Sequence, residues 1–120
     1  MFKVKDRQGN SVEPFEYLPI TEKEVYTLGE ALKMGAKATK CGATEKPTHI
    51  CMGPANGMTV PAIPVKATTR FEVPYTAAPA VGAAVTLHTD GLQVTATTAS
   101  GVFTVTDVDT EKGTACGYFR

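Results

Sequence analysis

An all-β fold, closed as one small barrel or sandwich, is the class this sequence predicts, and three observations carry it. From Thr48 onward, short runs rich in β-branched residues alternate with proline and glycine punctuation, the pattern of strands joined by tight turns. Thr89-Asp90-Gly91 stands between two such runs in the Asp-Gly form that matches strand twist. The chain has 120 residues, a length that supports one modest core rather than two.

The elements follow in order. Residues 1–20 read as an extended N-terminal arm, because Pro14 and Pro19 remove backbone donors and bias the preceding residues toward extended geometry. Phe2, Val4, Phe15, Tyr17 and Leu18 give the arm apolar groups, which pack along its own domain or dock on a neighbour. Residues 21–120 then form a single β domain. Its start carries two competing signals. Thr21-Glu22-Lys23-Glu24 is a capping-box pattern, and Val25, Leu28 and Leu32 stand at helical spacing, so one short helix is an option. Against it, Gly29 and Gly35 interrupt the run, and Leu32, Met34 and Ala36 alternate with Lys33, Gly35 and Lys37 in the strand period; strand or turn is the preferred reading. Further strands are expected at 49–52, 62–66, 70–73, 84–88, 93–97 and 102–108, with turns at Gly53-Pro54 and Asn56-Gly57.

A degenerate repeat underlies these runs. Leu28-Gly29-x-Ala31-Leu32-x-Met34 aligns with Val81-Gly82-x-Ala84-Val85-x-Leu87, so the domain reads as two hairpin units, at about 25–53 and 78–108, each a turn glycine, a strand and a returning strand. With the offset kept constant, Thr48-His49-Ile50-Cys51-Met52 falls over Gly101-Val102-Phe103-Thr104-Val105. That sets His49 against Val102 and Cys51 against Thr104.

Composition narrows the function classes. Twelve basic and twelve acidic residues cancel, and no basic block supplies the electrostatic footprint of nucleic-acid binding. The N-terminal residues lack the apolar centre of a secretory signal, and no run reaches membrane-span length. Three cysteines do not make a disulfide framework, so reduced thiols are expected.

Cys41, His49 and Cys51, with Cys116, have the ligand types of a zinc site, but they lack the close-pair spacing of a knuckle. A cysteine nucleophile served by His49 or His88 has no local signature. The acidic run Asp107-Val108-Asp109-Thr110-Glu111 lacks the glycine and ligand series of a calcium loop. Gly53-Pro54-Ala55-Asn56-Gly57 has no following lysine to serve a phosphate. No catalytic residue and no cofactor is therefore assigned. Apolar groups on a proline-bounded extended segment are commoner at interfaces than at catalytic centres, which makes Phe2, Val4, Phe15, Tyr17 and Leu18 the partner-binding candidates.

The arm ending Glu16-Tyr17-Leu18-Pro19, the Leu28-Gly29-Glu30-Ala31-Leu32 run, Val81-Gly82-Ala83-Ala84-Val85-Thr86-Leu87 and Gly101-Val102-Phe103-Thr104-Val105 together resemble the small decoration, or cement, proteins that stabilise the heads of tailed bacteriophages. The resemblance implies a β-clip-like sandwich, often a trimer, on the virion capsid surface, made in the host cytoplasm and not secreted. It would brace neighbouring capsomers without catalysis. The major capsid protein is the implied partner, reached by the N-terminal segment, with strand addition at an exposed edge as one route. The other reading of the residues is a small β binding module for a ligand or metal, using Cys41, His49 and Cys51.

Overall fold

Period-two burial along short strands builds this fold. In Arg70–Pro74, Phe71 and Val73 are buried while Arg70, Glu72 and Pro74 are partly exposed, so one face turns to the core and the other to solvent. The computed structural model describes residues 1–6 and 14–120, and these contain strands and no helix. They form two five-stranded antiparallel sheets. The first holds β2 (Glu16–Pro19), β6 (Thr59–Pro64), β5 (His49–Cys51), β3 (Ala31–Met34) and β4 (Ala38–Lys40), in that spatial order. The second holds β1 (Lys3–Asp6), β7 (Arg70–Pro74), β10 (Thr114–Phe119), β9 (Phe103–Asp109) and β8 (Ala84–Val85). An all-β sandwich is therefore the observed class.

The segment read as an arm is divided between the two sheets. Its β1 pairs with β7, with Lys3 opposite Glu72 and Val4 opposite Phe71, while β2 pairs with β6. Phe2 is fully buried, its ring 5.3 to 6.2 Å from those of Phe71, Phe103 and Phe119. Leu18 is buried as well. The helix option at 21–34 is not realised. Lys23 takes φ +66° and Gly29 φ +82°, left-handed values that stop helical propagation, and β3 begins at Ala31.

Other expectations need correction. The run at 93–97 is not a strand: only Val94 forms isolated bridges, to Tyr75 and Leu87. Its backbone still bonds across to Thr86, the Thr95 N–H to the Thr86 carbonyl and the Thr86 N–H to the Thr97 carbonyl, both at 3.0 Å, with Thr86 Oγ1 2.7 Å from Thr95 Oγ1, but without the reciprocal pairs of an antiparallel ladder. The strand expected at 84–88 ends at Val85, because the Leu87 N–H leaves the sheet to donate to the Ala43 carbonyl. In return, β10 and β4 were not foreseen.

The repeat extends well beyond the hairpins. Gly29 and Gly82 take φ +82° and +88°. Each donates its N–H to a returning strand, Gly29 to Cys51 and Gly82 to Val105, and each strand answers, Cys51 to Glu30 and Val105 to Ala83. His49 therefore corresponds to Phe103 and Cys51 to Val105, one residue beyond the constant-offset alignment. The correspondence continues outward. Glu16 opposite Ala62 matches Phe71 opposite Gly117, Leu18 opposite Val60 matches Val73 opposite Ala115, and Pro19 opposite Thr59 matches Pro74 opposite Thr114. Even the isolated bridges repeat, Ile20 to Ala38 and Tyr75 to Val94. Each sheet is thus one copy of a four-stranded unit with its short outer segment, and β1 is an addition to the second.

The copies stack head to tail. Ala31, Ile50 and Ile63 of the first sheet share the main core with Phe71, Val73, Val85, Phe103, Val105 and Ala115 of the second. From the first sheet's opposite face, Leu18, Leu32, Cys51, Val60 and Ala62 enter a smaller core closed by Tyr26. These last residues are the counterparts of the second sheet's core face. So equivalent faces are covered differently: one by the neighbouring sheet, the other by the chain's own 21–26 loop. There the Tyr26 hydroxyl donates to the Ala38 carbonyl at 2.6 Å and accepts from the Thr21 N–H at 2.8 Å.

Candidate functional site

The outer edge of β2 is where the structure gathers exposed apolar groups with backbone that no described residue pairs. Residues 16, 18 and 20 bond toward β6, since the Ile20 N–H donates to the Met58 carbonyl at 3.1 Å and antiparallel ladders alternate every second residue. Tyr17 accordingly turns its N–H and C=O away from the sheet. Among the described residues β6 is the only strand paired with β2. Phe15 is 49% exposed, Tyr17 66% and Met58 83%. Phe15 and Tyr17 line one wall of a groove of about 440 Å³, with Asn56, Thr59 and Pro61 on the β6 side.

On the core-facing side of the same edge, Glu16 reaches His49. Their Oε1 and Nε2 lie 3.0 Å apart, and the second ring nitrogen, Nδ1, lies 2.9 Å from Thr48 Oγ1, which itself accepts the Met34 N–H at 2.8 Å. An ionised Glu16 carboxylate can only accept, so Nε2 donates to it, and in a neutral ring the Thr48 hydroxyl then donates to Nδ1. His49 is held mostly buried while Glu16 is half exposed. A carboxylate is thereby oriented at the sheet edge.

Of the partner-binding candidates, Phe15 and Tyr17 lie at this surface, Val4 is partly buried against the main core, and Phe2 and Leu18 belong to the chain's own cores. Glu16 was not among the candidates. The signal available for it was its place in the four-residue run between Pro14 and Pro19, the length of one short edge strand.

The metal set does not assemble. Cys41 packs in the main core and Cys51 in the smaller one, on opposite faces of the first sheet, and among the described residues no three His, Cys, Asp or Glu side chains group around a common point. The Cys41 thiol donates to the Glu45 carbonyl at 3.1 Å and the Cys51 thiol to the Gly53 carbonyl at 2.9 Å. Burial pushes the Cys41 thiol up to about 11 and raises that of Cys51, so both stay protonated and poorly nucleophilic. Cys116 lies elsewhere, on the outer face of the second sheet beside Lys5 Nζ at 3.4 Å. His88 belongs to the Thr89-Asp90-Gly91 turn, where the Leu92 N–H donates to the Asp90 carboxylate at 2.8 Å. Asp109 caps its own turn by accepting the Glu111 and Lys112 N–H groups.

No family model, curated protein or solved structure matches the chain.

Proposed function

We propose that this chain is a structural decoration protein that binds the outer surface of an assembled viral shell and stabilises contacts between capsomers, without catalysis. The observation that carries the reading is the β2 edge: aromatic side chains at Phe15 and Tyr17 stand exposed beside backbone that no described strand pairs, in a segment bounded by Pro14 and Pro19. Aromatic residues are enriched in the buried centres of protein interfaces. A protein that binds only the assembled shell stabilises it by mass action, and many copies multiply a weak contact. The major capsid protein is the partner on this reading, and association of the chain as a trimer is part of it.

Deleting residues 1–19 does not test this cleanly, because it removes Phe2 and two strands together with the edge. Point substitution does. Co-sedimentation with the assembled heads of the phage or prophage that encodes the chain is expected for the native protein and lost in a Phe15→Ser, Tyr17→Ser double variant whose melting temperature is kept. Native protein that stays in the supernatant at saturating head concentration removes the reading.

A further inference from the structure

The internal duplication supplies a template for what the first sheet lacks. On the second sheet, β7 carries β1 along its outer edge, with Lys3 opposite Glu72 and Val4 opposite Phe71. The counterparts of Glu72 and Phe71 on the first sheet are Tyr17 and Glu16. Their backbone is presented the same way, because Tyr75 and Ile20 make the same inward hydrogen bonds, at 3.2 and 3.1 Å, to Gly113 and Met58. No described strand lies there. The grooves correspond too: one is lined by Glu72 and Thr114 with Met1 and Lys3 beside them, the other by Tyr17 and Thr59 with nothing from β1.

Two of the other three edges carry features that discourage further pairing, and the third, β8, is only two residues long. β1 bears Lys3 and Lys5 and a register shift between Val4 and Asp6, and β4 ends in Lys40. Lysines and bulges are how sheets block edge-to-edge association. β2 has a regular four-residue register and an aromatic where β1 has lysine. Side-chain chemistry then specifies the occupant. Where β1 sets Val4 against Phe71, with Phe103 nearby in the same core, the first sheet offers Glu16 hydrogen-bonded to His49.

We propose that the outer edge of β2 receives one further antiparallel strand from a partner protein, with a lysine or arginine opposite Glu16 and an uncharged residue beside Tyr17. Tyr17 exchanges two backbone hydrogen bonds with that strand, as antiparallel pairing allows. The basic side chain closes on the carboxylate that His49 orients. The inference does not depend on the shell reading, since it concerns any partner with this pattern.

The test uses the full chain and the peptide acetyl-Thr-Val-Thr-Lys-Val-amide, whose lysine falls opposite Glu16 when its first residue faces Pro19. Titration to about 2 mM, which reaches the millimolar end of the affinity scale, is followed by amide NMR and hydrogen exchange. Saturable shifts centred on Tyr17 and slower exchange of its N–H are expected. Glu16→Lys weakens binding by about five-fold or more, the scale of an exposed ion pair reversed in sign, and a peptide with glutamate in place of lysine restores it. Tyr17→Pro, which removes the outward N–H together with the exposed ring, abolishes binding; if that variant does not fold, the Glu16→Lys variant with its two peptides still decides. The proposal is overturned by an absence of saturable shifts, or by shifts that Glu16→Lys leaves unchanged. It is also overturned if the free protein sediments as a dimer with the Tyr17 N–H already protected, which assigns the edge to a second copy of the chain.

Discussion

Replacing Phe2 by alanine asks whether the first strand belongs to the core. The ring is fully buried and lies edge-on or tilted to three others, Phe71, Phe103 and Phe119, at centroid distances of 6.2, 6.0 and 5.3 Å. Truncating such a side chain costs about 3–5 kcal/mol, from lost transfer energy and the cavity left behind. The upper half of that range applies here, because the cavity walls are rings held by β7, β9 and β10 and cannot collapse inward. Unfolding entropy near about 2.1 cal/mol/K per residue gives about 0.25 kcal/mol/K for a chain this long, so each kcal/mol lowers the melting temperature by about 4 °C. A fall of about 16–20 °C is expected by far-UV circular dichroism, with Phe15→Ala, a half-exposed position, shifting it by no more than about 2 °C. A Phe2→Ala protein that melts within about 3 °C of the native one would refute the placement, and would return residues 1–6 to the status of an arm free to dock on a partner.

Three further outcomes follow from the same structure. Gly29→Ala destabilises more than Gly82→Ala: both demand φ near +85°, which costs an L-residue about 1–2 kcal/mol, but only at Gly29 does the added Cβ collide, 2.3 Å from Met1 Cβ, and equal denaturation midpoints would contradict this. Glu30 is buried with one carboxylate oxygen lacking a hydrogen-bond partner among the described residues and the other 3.3 Å from Lys40 Nζ, and burial raises its pKa above 4.5. A raised folded-state pKa means the native state holds the proton longer, so this group's stabilisation is full below 4.5 and is lost as pH rises through the folded value; the Glu30→Gln variant gains on the native protein over that interval, and parallel pH profiles would refute the assignment. Native Cys41 and Cys51 resist a thiol reagent at pH 8 and react on unfolding, since both are buried and protonated; rapid labelling of either in the native state, read by peptide mass, would show otherwise.

Local chemistry made the turns legible. Asp90-Gly91 and Asn56-Gly57 form where expected, with Gly91 at φ +72° and Gly57 at φ +64°, because the left-handed backbone such turns need is a property of the residues themselves. The same reasoning concealed β10. Gly117 reads as punctuation, yet it sits inside a strand because a Cβ there would lie 2.1 Å from the Thr104 carbonyl oxygen and 2.8 Å from the Phe103 ring, beside a register shift in the β9 pairing. That constraint is a close approach of two strands, and one residue's identity does not encode it. As for the site, Phe15 and Tyr17 were legible as apolar groups on a proline-bounded run, whereas the role of Glu16 depends on His49, which is distant in sequence and near only once β5 and β6 have paired.

By itself, then, the sequence determined the all-β class, most of the turns and the repeat centred on Gly29 and Gly82, since each is written in short-range patterns of apolar, β-branched and left-handed-tolerant residues. Tertiary structure decided what those units do with one another. It stacked them head to tail, so that equivalent faces meet a sheet in one copy and a loop in the other. It drew Phe2 into a ring cluster whose members come from four strands or their flanks. And it gave one copy a strand along its edge while, among the described residues, the other's edge has none. The physical reason is that burial and strand pairing are non-local: similar local patterns acquire different surroundings once the chain closes on itself.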